Sequence, residues 1–210
     1  MELKGKKINF LGDSITEGVG VSDPQYMYVN MFAKKYGAEV RNYGISGTRI
    51  ARQKTPSENP SFDLDFCKRA LEMDPDADVV VVFGGTNDFG HGDAPFGSPS
   101  DRTEHTFYGA CHVLMRTLIE RFPTAEIVFM TPLHRLEEEQ EGKQPLSAYV
   151  DALKEVARIY SMPVLDLYAM SGINPQVPVH LETYMPDGVH PNDRGAEVVA
   201  NRLGQFLLAL

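Results

Sequence analysis

INFLGDS, residues 8–14, joins a short apolar run to a glycine and two polar residues. The apolar part predicts a buried strand over 7–11, and Gly12 with the polar run 13–18 predicts a turn that opens toward a helix. In a parallel α/β sheet, such turns lie at the carboxyl edge, where ligands bind. The stretch therefore predicts one strand of an α/β sheet and places Ser14 at the edge of that sheet.

Strands and helices alternate along the rest of the chain. Further strands are predicted over 38–41, 78–83, 126–130 and 164–167, and helices over 24–36, 61–73, 103–122, 146–160 and from Asn192 or Asp193 onward. This alternation predicts a three-layer α/β/α sandwich around a parallel sheet of about five strands, joined by right-handed crossovers. With 210 residues and neither an internal repeat nor a linker, residues 1–210 are predicted to form one domain.

The charge and the cysteines limit the classes of partner. Lys and Arg total 20 against 29 Asp and Glu, a formal net charge of -9, which disfavours nucleic acid and anionic membranes as partners. The apolar run behind residues 1–7 is shorter than a signal or spanning helix, so we expect no membrane insertion and a cytoplasmic protein. Cys67 and Cys111 form no CxxC and predict reduced thiols. A homo-oligomer stays compatible with the sequence.

Two other predicted strands also end in polar turns. NYGISGT, residues 42–48, follows the second strand, and GGTND, residues 84–88, follows the third. Their glycines let backbone N–H groups face a ligand, and an asparagine amide is a further donor. Taken singly, both blocks are also typical of ordinary turns, and Ser14 or Thr16 is also a typical helix cap.

DGVH, residues 187–190, supplies a carboxylate and an imidazole near the other end of the chain. A serine hydroxyl becomes a good nucleophile when an imidazole takes its proton, and a carboxylate must orient that imidazole. Three positions in a tight turn bring Asp187 within reach of His190. A surface turn without a catalytic role is the alternative for this block taken alone.

The four blocks together resemble the SGNH hydrolases, also called GDSL esterases and lipases. They occur in the family's order over nearly the whole chain, as GDSI at 12–15, Gly47, GTND at 85–88 and DGVH at 187–190. One departure is Ile15, where the family nickname has leucine, a change between apolar residues of similar volume. The resemblance implies the flavodoxin-like strand order.

The resemblance also implies a role for each matching residue. Ser14 would be the nucleophile, His190 the general base and Asp187 its orienting carboxylate. The oxyanion hole would consist of the Ser14 N–H, the Gly47 N–H and the Asn87 side chain. Because all these positions are filled, a binding module without turnover is disfavoured.

Metal chemistry is not predicted. The chain lacks His-Glu-x-x-His and any Cys/His pairing at zinc spacing. His91 with Asp93, or His105 with His112, contains suitable ligand atoms, but histidines at such spacings are more typical of surface or core positions. We therefore predict neither a metal nor a cofactor.

Three long loops are predicted at the same edge as Ser14, over 49–60, 89–102 and 133–145. They carry polar and charged residues without an apolar tract that would line an acyl tunnel. We therefore expect a small-molecule substrate, an ester with a short acyl group such as acetyl on a polar or carbohydrate alcohol. A lysophospholipase or an acyl thioesterase is the alternative. The Gly- and Pro-rich loop 89–102 is either a lid or a plain surface loop.

Overall fold

The computed structural model describes all residues, 1–210. A parallel sheet forms its centre, with the strand order β2-β1-β3-β4-β5. The strands are β1 Lys7–Gly12, β2 Glu39–Gly44, β3 Val79–Phe83, β4 Glu126–Met130 and β5 Val164–Leu165. The predicted five-stranded parallel sheet and its flavodoxin-like order are thus confirmed.

Helices connect the strands and surround the sheet. They are α1 Ser14–Glu17, α2 Tyr28–Tyr36, α3 Phe66–Ala70, α4 Thr86–Gly90, α5 Phe107–Arg121, α6 Leu146–Ile159, α7 Leu167–Met170, α8 Pro178–Tyr184 and α9 Asp193–Ala209. Short 3₁₀ turns occupy Pro24–Tyr26 and Pro60–Asp63. None of the helices combines the length and the apolar character needed to cross a bilayer.

An apolar core lies on each face of the sheet. Helices α3, α5 and α6 contribute to one core, and α2 and α9 contribute to the other. In β3, Val80 and Val82 belong to the first core, whereas Val81 and Phe83 belong to the second, as the alternation of side chains along a strand requires. β3 lies between β1 and β4, and the two cores cover both of its faces, so all its residues are buried. The predicted three layers are therefore present.

Two predicted helices are interrupted. Within 24–36, Met27 has an extended backbone (φ -56°, ψ 135°), so a 3₁₀ turn precedes it and α2 follows it. Within 61–73, the Asp65 side chain accepts a hydrogen bond from the Lys68 N–H (2.9 Å) and begins α3 as a new helix. Both interruptions are local turns that a periodic apolar pattern does not reveal.

Two strands end at other residues than predicted. β2 continues beyond the predicted range 38–41, because its pairing with β1 extends to Gly44 opposite Gly12. β5 ends at Leu165 instead of Leu167, because Asp166 caps α7 by accepting a hydrogen bond from the Ala169 N–H (3.1 Å).

Helix α5 begins at Phe107, four residues later than predicted, and Gly109 is central to this start. The Thr106 hydroxyl accepts a hydrogen bond from the Gly109 N–H (3.1 Å) and caps the helix. A Cβ on Gly109 would collide with the Thr103 carbonyl oxygen, since the chain folds back closely over this residue.

We expect Gly109→Ala to lower the free energy of unfolding by about 1–3 kcal/mol, the usual cost of overpacking. Alanine is the better helix former by about 1 kcal/mol, but this gain does not compensate for a collision with backbone. Urea unfolding followed by circular dichroism measures the change, with Glu120→Ala as an exposed control in the same helix. Stabilisation by Gly109→Ala would show that the Thr103 turn moves aside without cost.

The sheet has its topological switch point between β1 and β3. β2 lies on one side of β1 and β3 lies on the other, so the order of the strands reverses there. Crevices at the carboxyl ends of such strands are the usual ligand sites of open α/β sheets. Ser14 directly follows β1 and Asn87 follows β3, so both residues lie at this crevice.

Candidate active site

Ser14 is the first residue of α1, immediately after β1. The helix cap is Asp13, whose Oδ1 accepts a hydrogen bond from the Ile15 N–H (3.0 Å). Thr16 uses its hydroxyl in a buried hydrogen bond with the Tyr28 hydroxyl (2.9 Å). Neither Ser14 nor Thr16 is therefore the cap, and the buried Ser14 side chain is directed elsewhere.

The Ser14 hydroxyl lies against His190. Its Oγ is 2.9 Å from His190 Nε2, and His190 Nδ1 is 2.6 Å from Asp187 Oδ2. A charged Asp187 favours the tautomer that carries its proton on Nδ1 and leaves Nε2 free to accept the hydrogen bond of the serine. The structure thus brings together three residues that the sequence predicted, in the order that nucleophilic catalysis requires.

Asp187 remains a carboxylate over the ordinary pH range. Partial burial acts to raise its pKa, but hydrogen bonds from the N–H and ring of His190 and from the Val189 N–H outweigh this effect, and the net pKa is lowered. Its Oδ1 accepts the two backbone N–H groups at 2.8 and 2.7 Å, which leaves Oδ2 for the imidazole.

The segment 187–190 is supported on both sides. The Leu136 N–H donates to the Gly188 carbonyl (2.9 Å), and Gly188 has a positive φ of 78°, a conformation that favours glycine. After the segment, Asn192 caps α9 by accepting hydrogen bonds from the Arg194 and Gly195 N–H groups, both 3.1 Å. The imidazole is therefore held by a short turn fixed to the start of a long helix.

Ser14 itself and the turns after β2 and β3 supply hydrogen-bond donors at the crevice. The N–H groups of Ser14 and Gly47 donate no hydrogen bond within the protein. Asn87 is buried, and its Nδ2 donates one hydrogen to the Thr48 carbonyl (3.0 Å), which leaves a second hydrogen for another acceptor. Gly47 has a φ of 74°, and a Cβ there would collide with the Phe62 ring. The residue type at this position is therefore restricted to glycine.

Arg69 is a residue of the site that the sequence did not reveal. It is buried, and its guanidinium donates to the carbonyls of Gly12 (3.0 Å), Tyr43 (2.7 Å) and Leu64 (2.9 Å) and to the Thr48 hydroxyl (2.8 Å). Burial lowers the pKa of Arg69 to about 10. These bonds tie the ends of β1 and β2 to the turn that contains Gly47, so Arg69 fixes the spacing of the predicted donors.

Two buried carboxylates also hold the crevice. Asp88 accepts hydrogen bonds from the Ile50 and Ala51 N–H groups, both 2.9 Å, and so fixes the chain after Gly47. Burial raises the pKa of both Asp88 and Asp13 to about 6, since the protein interior disfavours the charged form.

Arg49, at the start of the loop 49–60, is buried. Its Nη1 lies 3.3 Å from Asp63 Oδ1, and its Nη2 donates to His91 Nδ1 at 2.8 Å. His91 is exposed on one side of its ring. Desolvation of the other side and the positive charges of Arg49, Arg135 and Lys143 lower the pKa of His91 to about 4. His91 is therefore a neutral imidazole near pH 7, with Nε2 as its donor.

The histidine and aspartate pairs weighed as metal ligands have other contacts. Asp93 accepts hydrogen bonds from the Lys54 and Thr55 N–H groups, and His112 packs against Tyr160. No group of three or more His, Cys, Asp or Glu side chains has an arrangement that suits a metal ion. Cys67 and Cys111 are free and buried.

The predicted loop 89–102 is anchored at several points. Its first residues belong to α4, and Phe89 is fully buried against Tyr149. Further along, the Phe96 ring stacks on Phe107 and also contacts Tyr149. These contacts favour the surface-loop alternative over a freely closing lid.

A cavity of about 530 Å³ lies between the segment that leads into α2 and the first turns of α9, lined by residues such as Gln25, Lys34 and Glu197. It contains none of the residues Ser14, Asn87, Asp187 and His190, so it is separate from the contact between the serine and the histidine.

Comparisons with known proteins identify the family and the fold of the chain. The model of the GDSL-like Lipase/Acylhydrolase family matches residues 10–198. One crystal structure is of a protein 37% identical to this chain; the match covers 100% of this chain and 99% of the other, with a TM-score of 0.88. A protein from Lactobacillus plantarum is 30% identical, covering 99% and 98%, with a TM-score of 0.86. An acetyl xylan esterase from Geobacillus stearothermophilus shares the fold at 21% identity, covering 99% and 97%, with a TM-score of 0.64. A search of curated proteins found no match.

Proposed function

Because the chain belongs to the GDSL-like lipase and acylhydrolase family, we propose that it is a serine esterase that cleaves carboxylic esters through an acyl-enzyme on Ser14. The observation that carries this proposal is the contact of Ser14 Oγ with His190 Nε2 at 2.9 Å, continued to Asp187 at 2.6 Å. Residues 176 positions apart in the chain meet in this contact, which a surface turn or a helix cap does not require.

In the first half-reaction, Ser14 Oγ attacks the ester carbonyl carbon while His190 Nε2 takes the hydroxyl proton. The carbonyl π bond opens and its electron pair moves to the oxygen, which accepts hydrogen bonds from the Ser14 N–H, the Gly47 N–H and the free hydrogen of Asn87 Nδ2. The oxyanion electron pair then re-forms the carbonyl as the carbon–alkoxy bond breaks, and the leaving alcohol takes the proton from His190.

In the second half-reaction, His190 removes a proton from water, and the resulting hydroxide attacks the acyl carbon. The bond to Ser14 Oγ breaks, Ser14 regains its proton from His190, and the carboxylic acid leaves. Asp187 keeps the imidazole in the required tautomer and stabilises the imidazolium that forms in both halves.

We propose as substrate an ester with a short acyl group, such as acetyl, on a polar or carbohydrate alcohol. The residues around the crevice support this choice because they are polar or charged, among them Arg49, His91, Arg135 and Glu138. A long acyl chain would need an apolar channel for its methylene groups, each worth about 0.8 kcal/mol when buried.

Labelling with a serine-directed fluorophosphonate, followed by intact-mass measurement, tests the acyl-enzyme. We expect one adduct, located on Ser14 by peptide mapping. A protein that binds ester analogues without an adduct would instead be a binding module. Turnover of 4-nitrophenyl esters from acetate to palmitate and of acetylated xylose then tests the acyl length. A maximum at long chains or on thioesters would favour the lysophospholipase or the thioesterase.

We expect the activity to fall in acid, because a protonated His190 has no lone pair to accept the Ser14 proton. General-base catalysis requires an imidazole that can accept a proton. The measurement is kcat/KM for 4-nitrophenyl acetate between pH 4.5 and 8.5, with circular dichroism at each pH as the control for folding. A rate that stays constant down to pH 5 would contradict the role of His190.

A further inference from the structure

Arg135 follows β4 and places its guanidinium on α4. Its Nη1 donates to the Thr86 carbonyl (2.9 Å) and lies 3.3 Å from the Thr86 hydroxyl. Thr86 directly precedes Asn87, and a Cβ on Gly90 would lie 2.5 Å from Nη1. The guanidinium therefore covers the outer side of α4, beside the predicted oxyanion-hole asparagine.

The backbone next to Arg135 is fixed to the turn of the catalytic histidine. Leu136 donates to the Gly188 carbonyl, and the Arg135 N–H donates to Glu138 Oε1 (2.9 Å). Burial lowers the pKa of Arg135, while the charges of Asp13, Glu137, Glu138 and Asp187 act in the opposite direction. Two of these carboxylates, Asp13 and Asp187, flank Ser14 and His190. The segment 135–136 thus connects a guanidinium on α4 with the turn that holds His190.

No carboxylate contacts the guanidinium of Arg135, which lies 5.3 Å above the centre of the Phe89 ring. It forms no ion pair, and its buried Nε makes no hydrogen bond. Nη2 makes none either and is accessible to solvent. A half-buried cation without a carboxylate in contact is costly for the fold, and an incoming anion would reduce that cost. Arg69, in contrast, uses its guanidinium on four oxygen atoms.

The surroundings of Arg135 add positive charge. Arg49, Arg135 and Lys143 all act on the ring of His91, which follows α4. The nearby carboxyl of Asp88 is buried and directed toward the Ile50 and Ala51 N–H groups instead. The carboxylates that act on Arg135 are Asp13, Glu137, Glu138 and Asp187, so the positive charge is confined to the side of His91. On that side the local field favours an anionic ligand.

We propose that Arg135 is a specificity-determining residue that binds a carboxylate of the substrate beside the ester bond. The preferred substrate is then an anionic ester, with the carboxylate on either the acyl or the alcohol part. This inference rests on the proposed esterase function for the position of the ester. Nη2 donates the charge-assisted hydrogen bond, and the neutral His91 Nε2–H is a second donor on the same side.

Two pairs of esters that differ in charge test the inference. For the alcohol part, 4-acetoxybenzoate is compared with 4-acetoxybenzamide, and for the acyl part, mono-(4-nitrophenyl) adipate is compared with 4-nitrophenyl hexanoate. We expect a kcat/KM at least about tenfold higher for the carboxylate in one pair, as a charged hydrogen bond supplies. Arg135→Gln should abolish this preference by lowering kcat/KM for the carboxylate at least about tenfold more than for the neutral ester. Arg116→Gln, an exposed arginine on α5, should change neither ester.

Arg135→Lys keeps the charge and should retain part of the preference, which a purely structural role would not predict. Equal rates within both pairs would overturn the inference. So would an equal loss for charged and neutral esters in Arg135→Gln, since the guanidinium would then only position α4.

Binding separates the inference from the proposed function. In Ser14→Ala, calorimetry should show tighter binding of the same carboxylate ester, and Arg135→Gln on that background should remove the difference. Turnover without any charge preference would refute the inference and leave the esterase intact. A charge preference in binding without turnover or labelling would refute the esterase and leave the anion site. Equal affinities in Ser14→Ala would overturn the anion site.

Discussion

Ser14→Ala should lower kcat for 4-nitrophenyl acetate by roughly 10⁴- to 10⁶-fold, the range found for nucleophiles of Ser-His-Asp proteases. The variant keeps the oxyanion donors and His190 but has no oxygen to form the acyl-enzyme. A water molecule that the protein does not hold in position must then attack the ester in place of the serine hydroxyl. Steady-state kinetics with purified protein measures the loss.

Ser147→Ala is the matched control, since Ser147 lies on α6 and makes no side-chain hydrogen bond in the structure. It should keep wild-type activity within about twofold, as surface substitutions usually do. If Ser14→Ala also kept its activity, another residue would be the nucleophile, and the assignment of all three residues would fail.

Asn87→Ala should lower kcat by roughly 10²- to 10³-fold with a smaller effect on KM, as the loss of one oxyanion-hole donor does. The negative charge on the substrate oxygen develops only in the transition state, so a donor aimed at that oxygen acts mainly on kcat. The substitution also removes the hydrogen bond to the Thr48 carbonyl. Thermal unfolding must therefore accompany the kinetics.

Arg69→Met provides the comparison for that second effect. It removes the hydrogen bonds to the Thr48 hydroxyl and to the carbonyls of Gly12, Tyr43 and Leu64 but keeps the Asn87 amide. A fall in kcat for Asn87→Ala that is matched by a fall in the midpoint of thermal unfolding, as expected for Arg69→Met, would mean that Asn87 only positions the turn. An unchanged kcat would remove Asn87 from the oxyanion hole.

The sequence predicted the sheet because its signals are strong and repeated. The run of valines in β3 is buried on both faces, and apolar runs of this kind alternate with helical patterns along the chain. The ends of the elements were less predictable. The start of α3, for example, depends on Asp65 accepting a hydrogen bond from Lys68, a local choice that periodicity does not contain.

The candidate site was predictable only where residue types form a motif. Ser14, Asp187 and His190 lie in recognisable blocks, and the structure brings them together. Arg69 and Arg135 lie in stretches without a motif, where the sequence does not distinguish them from other charged residues. Their significance depends on burial and on which oxygens surround the guanidinium, and both follow from packing of distant segments. The short helix α4 was missed because a five-residue helix has too few turns for periodicity.

The meeting of Ser14 with His190 joins the first strand of the sheet to the turn before the last helix. Hydrolysis therefore depends on the folding of nearly the entire chain, from β1 to α9. During refolding, returning activity would report the meeting of these two segments, whereas circular dichroism would report the formation of helices. The chain has no tryptophan whose fluorescence could follow this step. A chromogenic ester would thus serve as the reporter of that meeting.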